Sequence, residues 1–266
     1  AKVGALVGLE RHARFGISDK LSDQVTKAAM QVIAAEDPPE DTSADVHHWM
    51  KCQAARVLAN QAAGEAVKPE VHQALLSLVA NQDMSLDDRC CAAKLLRRIQ
   101  YEGAADVDVD AAAVTLGELA TTVLKKAVKV ARDYEDEILE GGGGMGMSRR
   151  GGYGGEFGGG YGGGYGRGGM SGDTGPKLLK RRFLSRLDAI VQGAKSLAKT
   201  SEEAKTKLMQ LYDPIDAAVA KATKKNVIDT DVASAVRSLA DQVADVVEGW
   251  KPKAPAAESE TEEDFS

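Results

Sequence analysis

Aromatic residues are scarce in this chain, at 5% of 266 positions, and so are prolines (seven) and cysteines (three). Each shortage removes a class of protein. Few aromatics beside abundant alanine disfavour a β-sandwich or barrel and suit helices that pack closely through small side chains. No uninterrupted apolar stretch reaches the roughly 18 to 20 residues of a membrane-crossing helix, so we expect a soluble chain without a membrane span. Cys52, Cys90 and Cys91 are odd in number and fall inside helical patterns, which argues against a disulfide framework; they read as small buried hydrophobes. Catalytic signatures are missing as well. There is no G-x-S-x-G, H-E-x-x-H or P-loop sequence, and we expect neither enzyme activity nor a bound cofactor.

Glycine is nearly absent too, except in one place. Twenty of the 28 glycines lie between Gly141 and Gly175, in GGGGMGMSRRGGYGGEFGGGYGGGYGRGGMSGDTG. Glycine has the most backbone entropy to lose on ordering and no side chain to bury in return, so this tract is expected to be a disordered linker. A glycine-rich coil of about 35 residues spans roughly 30 to 35 Å, enough to let the C-terminal part of the chain dock on the N-terminal part or reach a separate partner.

The tract divides the chain into residues 1–140, a helical block; 141–175, the linker; 176–250, a second helical block; and 251–266, an acidic tail expected to be disordered. Charge shows the same division. Residues 1–140 carry 16 Lys and Arg against 23 Asp and Glu, whereas residues 177–250 carry 13 against 10. The acidic first block thus offers an internal partner to the mildly basic second one. Ala1 opens without a methionine, directly inside an apolar helical pattern, so further sequence upstream is expected, either a signal peptide or more helices, and the compartment stays open.

Apolar residues at helical spacing predict six helices before the tract, over about 2–15, 20–35, 46–63, 69–81, 85–101 and 109–139. Val3, Leu6, Val7 and Leu9 form the first apolar face; Leu21, Val25, Ala28, Ala29 and Val32 form the second. Ser43 or Asp45 after the EDPPEDTSAD loop, Pro69, and Ser85 with Asp88 supply helix starts. Three more helices are predicted over 177–199, 201–223 and 229–249, with Pro214 kinking or splitting the middle one. These either form a small antiparallel three-helix bundle or dock on the long sixth helix.

Three segments of the first block share a small residue with an aliphatic one after it. They are Gly4-Ala5-Leu6-Val7-Gly8-Leu9, Gln53-Ala54-Ala55-Arg56-Val57-Leu58 and Cys91-Ala92-Ala93-Lys94-Leu95-Leu96. Their spacing fits a unit of about 40 residues with one insertion, and Val25–Val32 aligns with Val71–Leu78 between them. Over about residues 1–105 this resembles HEAT and armadillo-like repeats. The resemblance implies an all-α protein with α-solenoid-like stacked helical hairpins, and a scaffold role in which helical surface is presented to another protein.

Two features carry other chemistry. His47, His48 and Cys52 include an i, i+4 pair with metal-ligand spacing, but no third or fourth ligand occurs at recognised spacing, and we expect no metal. Within the tract, Arg149, Arg150, Tyr153, Phe157, Tyr161, Tyr165 and Arg167 resemble the RGG and Tyr-Gly segments of RNA-binding and condensate-forming proteins. Stacking on aromatic faces and attraction to phosphate would drive such contact. Lys177, Lys180, Arg181, Arg182 and Arg186 extend the basic character into the next helix. Three tract arginines predict only a weak, salt-sensitive RNA affinity.

Overall fold

The computed structural model describes residues 2–63, 68–104, 106–141, 176–224 and 230–251. Among them the fold is all-α. In order come α1 (Lys2–Phe15), α2 (Asp19–Ala34), α3 (Ala44–Gln61), α4 (Pro69–Ala80), α5 (Leu86–Leu95), a 3-10 turn (Leu96–Arg98), α6 (Val109–Gly141), α7 (Pro176–Leu197), α8 (Glu202–Lys224) and α9 (Thr230–Trp250). The glycine-rich tract beyond Gly141 and the acidic tail beyond Lys251 lie outside the described residues.

Local chemistry sets several helix ends. Ser43 Oγ accepts from the Val46 amide at 3.4 Å and Ser85 Oγ accepts from the Asp88 amide at 3.2 Å, each satisfying one of the donors that a helix start leaves open. Asp88 does not complete a capping box, because its carboxylate accepts from the Ser85 hydroxyl at 2.8 Å. Pro69 occupies the first turn of α4. At the other end of α4, the buried Arg89 donates to the Val79 carbonyl at 2.8 Å and neutralises the negative helix terminus.

One expected helix turns out differently, and at a second only one of two expected outcomes is ruled out. The fifth stops at Leu95 rather than near Tyr101. The chain tightens into a 3-10 turn and leaves the helix so that Ile99 and Tyr101 can be buried, with Ile99 bridging to Ala63. The Tyr101 hydroxyl lies 2.9 Å from His72 Nδ1. Pro214, in turn, does not split α8, which runs unbroken from Glu202 to Lys224. Leu208, Leu211 and Ile215 are fully buried on both sides of the proline, and that continuous apolar face keeps the helix in register across the missing amide.

The helices lie in two rows. One holds α1, α3, α5 and α7, each packed on the next; the other holds α2, α4, α6 and α8. Contacts advance together along α3 and α5 (Cys52 with Asp88, Arg56 with Cys91) and along α5 and α7 (Asp87 with Arg186, Lys94 with Asp188), so these helices run parallel. α2 leans chiefly on α3 and α4 on α5, whereas α6 packs more on α9 than on α7, and α8 packs chiefly on α7.

The helices after the glycine tract therefore continue both rows. α7 extends the row of α5 and α8 the row of α6, while α9 lies antiparallel along α6, where Val247 fills the space over Gly117. Within this block α7 packs on α8 and α8 on α9, and the block also packs on α5 and α6 of the first one. A single apolar cluster runs from Leu6 through Leu58, Leu75, Leu96 and Leu116 to Ile190, Leu208 and Val243.

Candidate interaction surfaces

The first hairpin leaves apolar side chains in solvent. On α1, Leu6 and Ala13 are buried and Leu9 is half-buried, but Val3 and Val7 are 41% and 47% exposed. Only part of the expected apolar face is thus covered. Phe15, one residue before the left-handed Gly16 that turns the chain into α2, is 85% exposed, and Leu21 on α2 is 52% exposed. A methyl added at Gly4 or Gly8 would meet nothing within 4 Å. Phe15 lies off the Leu6–Leu9–Ala13 stripe by helical spacing, which is the one signal in the sequence that could have marked it as outward-facing.

The seam between α5 and α7 absorbs part of the expected basic cluster. Arg186 Nε is 2.7 Å and Arg182 Nε 3.6 Å from the carboxylate of Asp87. Lys94 faces Asp188 at 3.8 Å, and Arg97 donates to Gln192 Oε1 at 2.6 Å. Between these polar pairs the backbones close up. A Cβ on Gly193 would lie 2.5 Å from the Ala93 carbonyl oxygen, so only glycine permits this approach. Lys177, Lys180 and Arg181 also belong to α7, with Arg181 exposed. Arg149, Arg150, Tyr153, Phe157, Tyr161, Tyr165 and Arg167 lie outside the described residues.

The His/Cys residues of α3 do not converge on one another. His47 is buried and His48 half-buried, with ring centroids 6.3 Å apart, while the Cys52 thiol donates to Asp88 Oδ1 at 3.4 Å. No group of three potential metal ligands occurs among the described residues. Burial pushes the pKa values of His47 and His72 down and those of the Cys52 thiol and Tyr101 hydroxyl up. Burial also pushes Cys90 up to about 12.

A cleft of about 270 Å³ opens where α6 and α8 begin, lined by Val107, Asp108, Asp110, Ser201, Glu203 and Lys207. Several of its polar groups already have structural work. Asp108 Oδ1 accepts from the Ala111 amide at 2.9 Å and Ser201 Oγ from the Ala204 amide at 3.1 Å. Lys207 reaches Asp110 at 2.5 Å and lies 5.5 Å from the centre of the Trp250 ring. These contacts describe a joint that ties α8 and the end of α9 to α6.

Among the described residues, no helix is long and apolar enough to cross a membrane. Comparison with protein-family models, with curated proteins and with solved structures gave no match to this chain.

Proposed function

We propose that this chain is a non-enzymatic protein-interaction module, an α-solenoid-like scaffold that works by offering helical surface to another protein. The observation that carries the reading is the outward face of the first hairpin, where Val3, Val7, Phe15 and Leu21 remain exposed. Large apolar side chains left in water are costly, and several of them exposed on one hairpin are the kind of surface that another protein covers. Gly4 and Gly8 add to it, because helices lacking side chains at these positions let a partner helix approach the backbone.

A double variant, Phe15→Asp with Leu21→Asp, tests the reading. Both positions are on the surface, so helicity and Tm should stay close to those of the parent, while capture of protein partners from a lysate, compared by quantitative mass spectrometry, should fall. A parent chain that captures nothing beyond the bead control, or a variant that captures the same proteins equally well, overturns it.

RNA binding through the Arg/Tyr/Gly tract and the basic start of α7 has less support, since Arg182 and Arg186 are engaged with Asp87. Anisotropy of a labelled single-stranded RNA at low and physiological salt, with the intact chain and one lacking residues 142–175, separates the two readings.

A further inference from the structure

Cys52 of α3 and Cys91 of α5 each take part in a contact between these two helices, and their neighbours differ in kind. The Cys91 sulfur is half-buried and receives a hydrogen bond from Arg56 Nη2 at 3.6 Å, with Arg56 itself partly open to solvent. Cys52 is buried, and its thiol points at Asp88 Oδ1 at 3.4 Å. The other oxygen of that carboxylate is held by Ser85 at 2.8 Å. Asp88 and Cys91 stand three residues apart on one face of α5, and their partners Cys52 and Arg56 stand four apart on one face of α3, so both sulfurs lie along the same contact between the two helices. Cys90, the adjacent residue, is buried.

We propose that Cys91 and Cys52 form a peroxide-responsive thiol pair, in which Cys91 is the attacking sulfur and Cys52 the resolving one, and that their disulfide clamps α3 to α5. Each residue has a distinct part. Arg56 stabilises the negative charge on the Cys91 sulfur as it attacks hydrogen peroxide. An S–O bond forms, the O–O bond breaks, and the departing hydroxide leaves as water with the proton that the thiol gave up. Cys91 is thereby oxidised to a sulfenic acid and the peroxide is reduced. Cys52 then attacks the sulfenic sulfur while its proton passes to Asp88. The S–S bond forms, the S–O bond breaks, and the hydroxide released takes that proton away as a second water. Two thiols and one peroxide yield one disulfide and two waters.

The test uses the full chain, reduced and then exposed to hydrogen peroxide, with free thiols alkylated and peptides mapped without reduction. The expected product is a Cys52–Cys91 cross-linked peptide, unchanged in yield in Cys90→Ser and lost in Cys91→Ser. In Cys52→Ser, Cys91 should be trapped by dimedone as the sulfenic acid. Arg56→Ala should slow the first step about tenfold, as expected for loss of a charge-assisted hydrogen bond. Asp88→Asn should slow disulfide formation while leaving the dimedone-trapped step unchanged. Cys91 that stays a free thiol under peroxide, a disulfide that uses Cys90, or a Cys91 sulfenic acid that accumulates in the parent chain beside an unreacted Cys52 would each overturn the proposal.

Discussion

Two buried imidazoles tie the stability of this fold to pH. His72 and His47 sit in the core with Nε2 atoms that find no partner among the described residues. Burial holds both pKa values below the ordinary 6.5, although Asp108 pulls His72 and Asp37 pulls His47 the other way. Between the folded and ordinary values the unfolded chain binds more protons, so stability is complete above about 6.5 and is lost as pH falls through that value. Urea unfolding at pH 7, 6 and 5 should show a decline of up to about 1.4 kcal/mol per pH unit for each histidine. His72→Phe should remove its share of the slope, even though it leaves the Tyr101 hydroxyl unpaired.

Glycines make a second prediction at this scale because three of them answer differently. Gly193→Ala drives a methyl into the Ala93 carbonyl and should cost roughly 1 to 3 kcal/mol, read as a lower denaturant midpoint. Gly8→Ala and Gly249→Ala meet open space within their helices and should each gain about 1 kcal/mol. If Gly193→Ala is as benign as the other two, the close approach of α5 and α7 is wrong.

At the scale of the element, Pro214 is the point of tension. Its ring removes one backbone donor from the interior of α8, yet the helix continues through it, with Leu211 and Ile215 fully buried on either side. Pro214→Ala should therefore raise stability by about 3 kcal/mol or somewhat less, with a matching rise in Tm and helical signal. A destabilised variant would mean that the proline sets a bend on which packing depends.

Helix positions were legible in the sequence because their signals are local. Apolar spacing, the serines before α3 and α5 and the proline at the start of α4 need only neighbours within a few residues. Where the sequence misleads, long-range packing decides. α5 ends early because Ile99 and Tyr101 find burial against Ala63 and His72, residues far away in the chain. Val3 and Val7 carry the period of a buried face, and whether a neighbouring helix covers them is information that α1 does not contain. The cysteine contacts were equally hidden: Cys52 meets Asp88 and Cys91 meets Arg56 only once α3 and α5 stack in parallel.

At the scale of the whole molecule, the seam between α5 and α7 decides how many cooperative units there are. Ser196 reaches the Ile99 carbonyl at 3.3 Å and Arg186 reaches Asp87 across 99 positions of sequence. Residues 1–141 and 176–251, expressed as two separate chains, should assemble into an equimolar complex that elutes as one species and melts in one transition. Two independent peaks would show that the seam is too weak to hold the rows together without a covalent connection.

Anchoring the tract at both ends, on α6 and on α7, also bears on how this gene can change over time. Closing a loop costs entropy only as the logarithm of its length, so doubling the stretch between Gly141 and Pro176 would cost about 0.6 kcal/mol. Insertions and deletions of glycine codons should drift there almost unselected on stability, while the glycine at position 193, a single residue in the seam, should hardly drift at all.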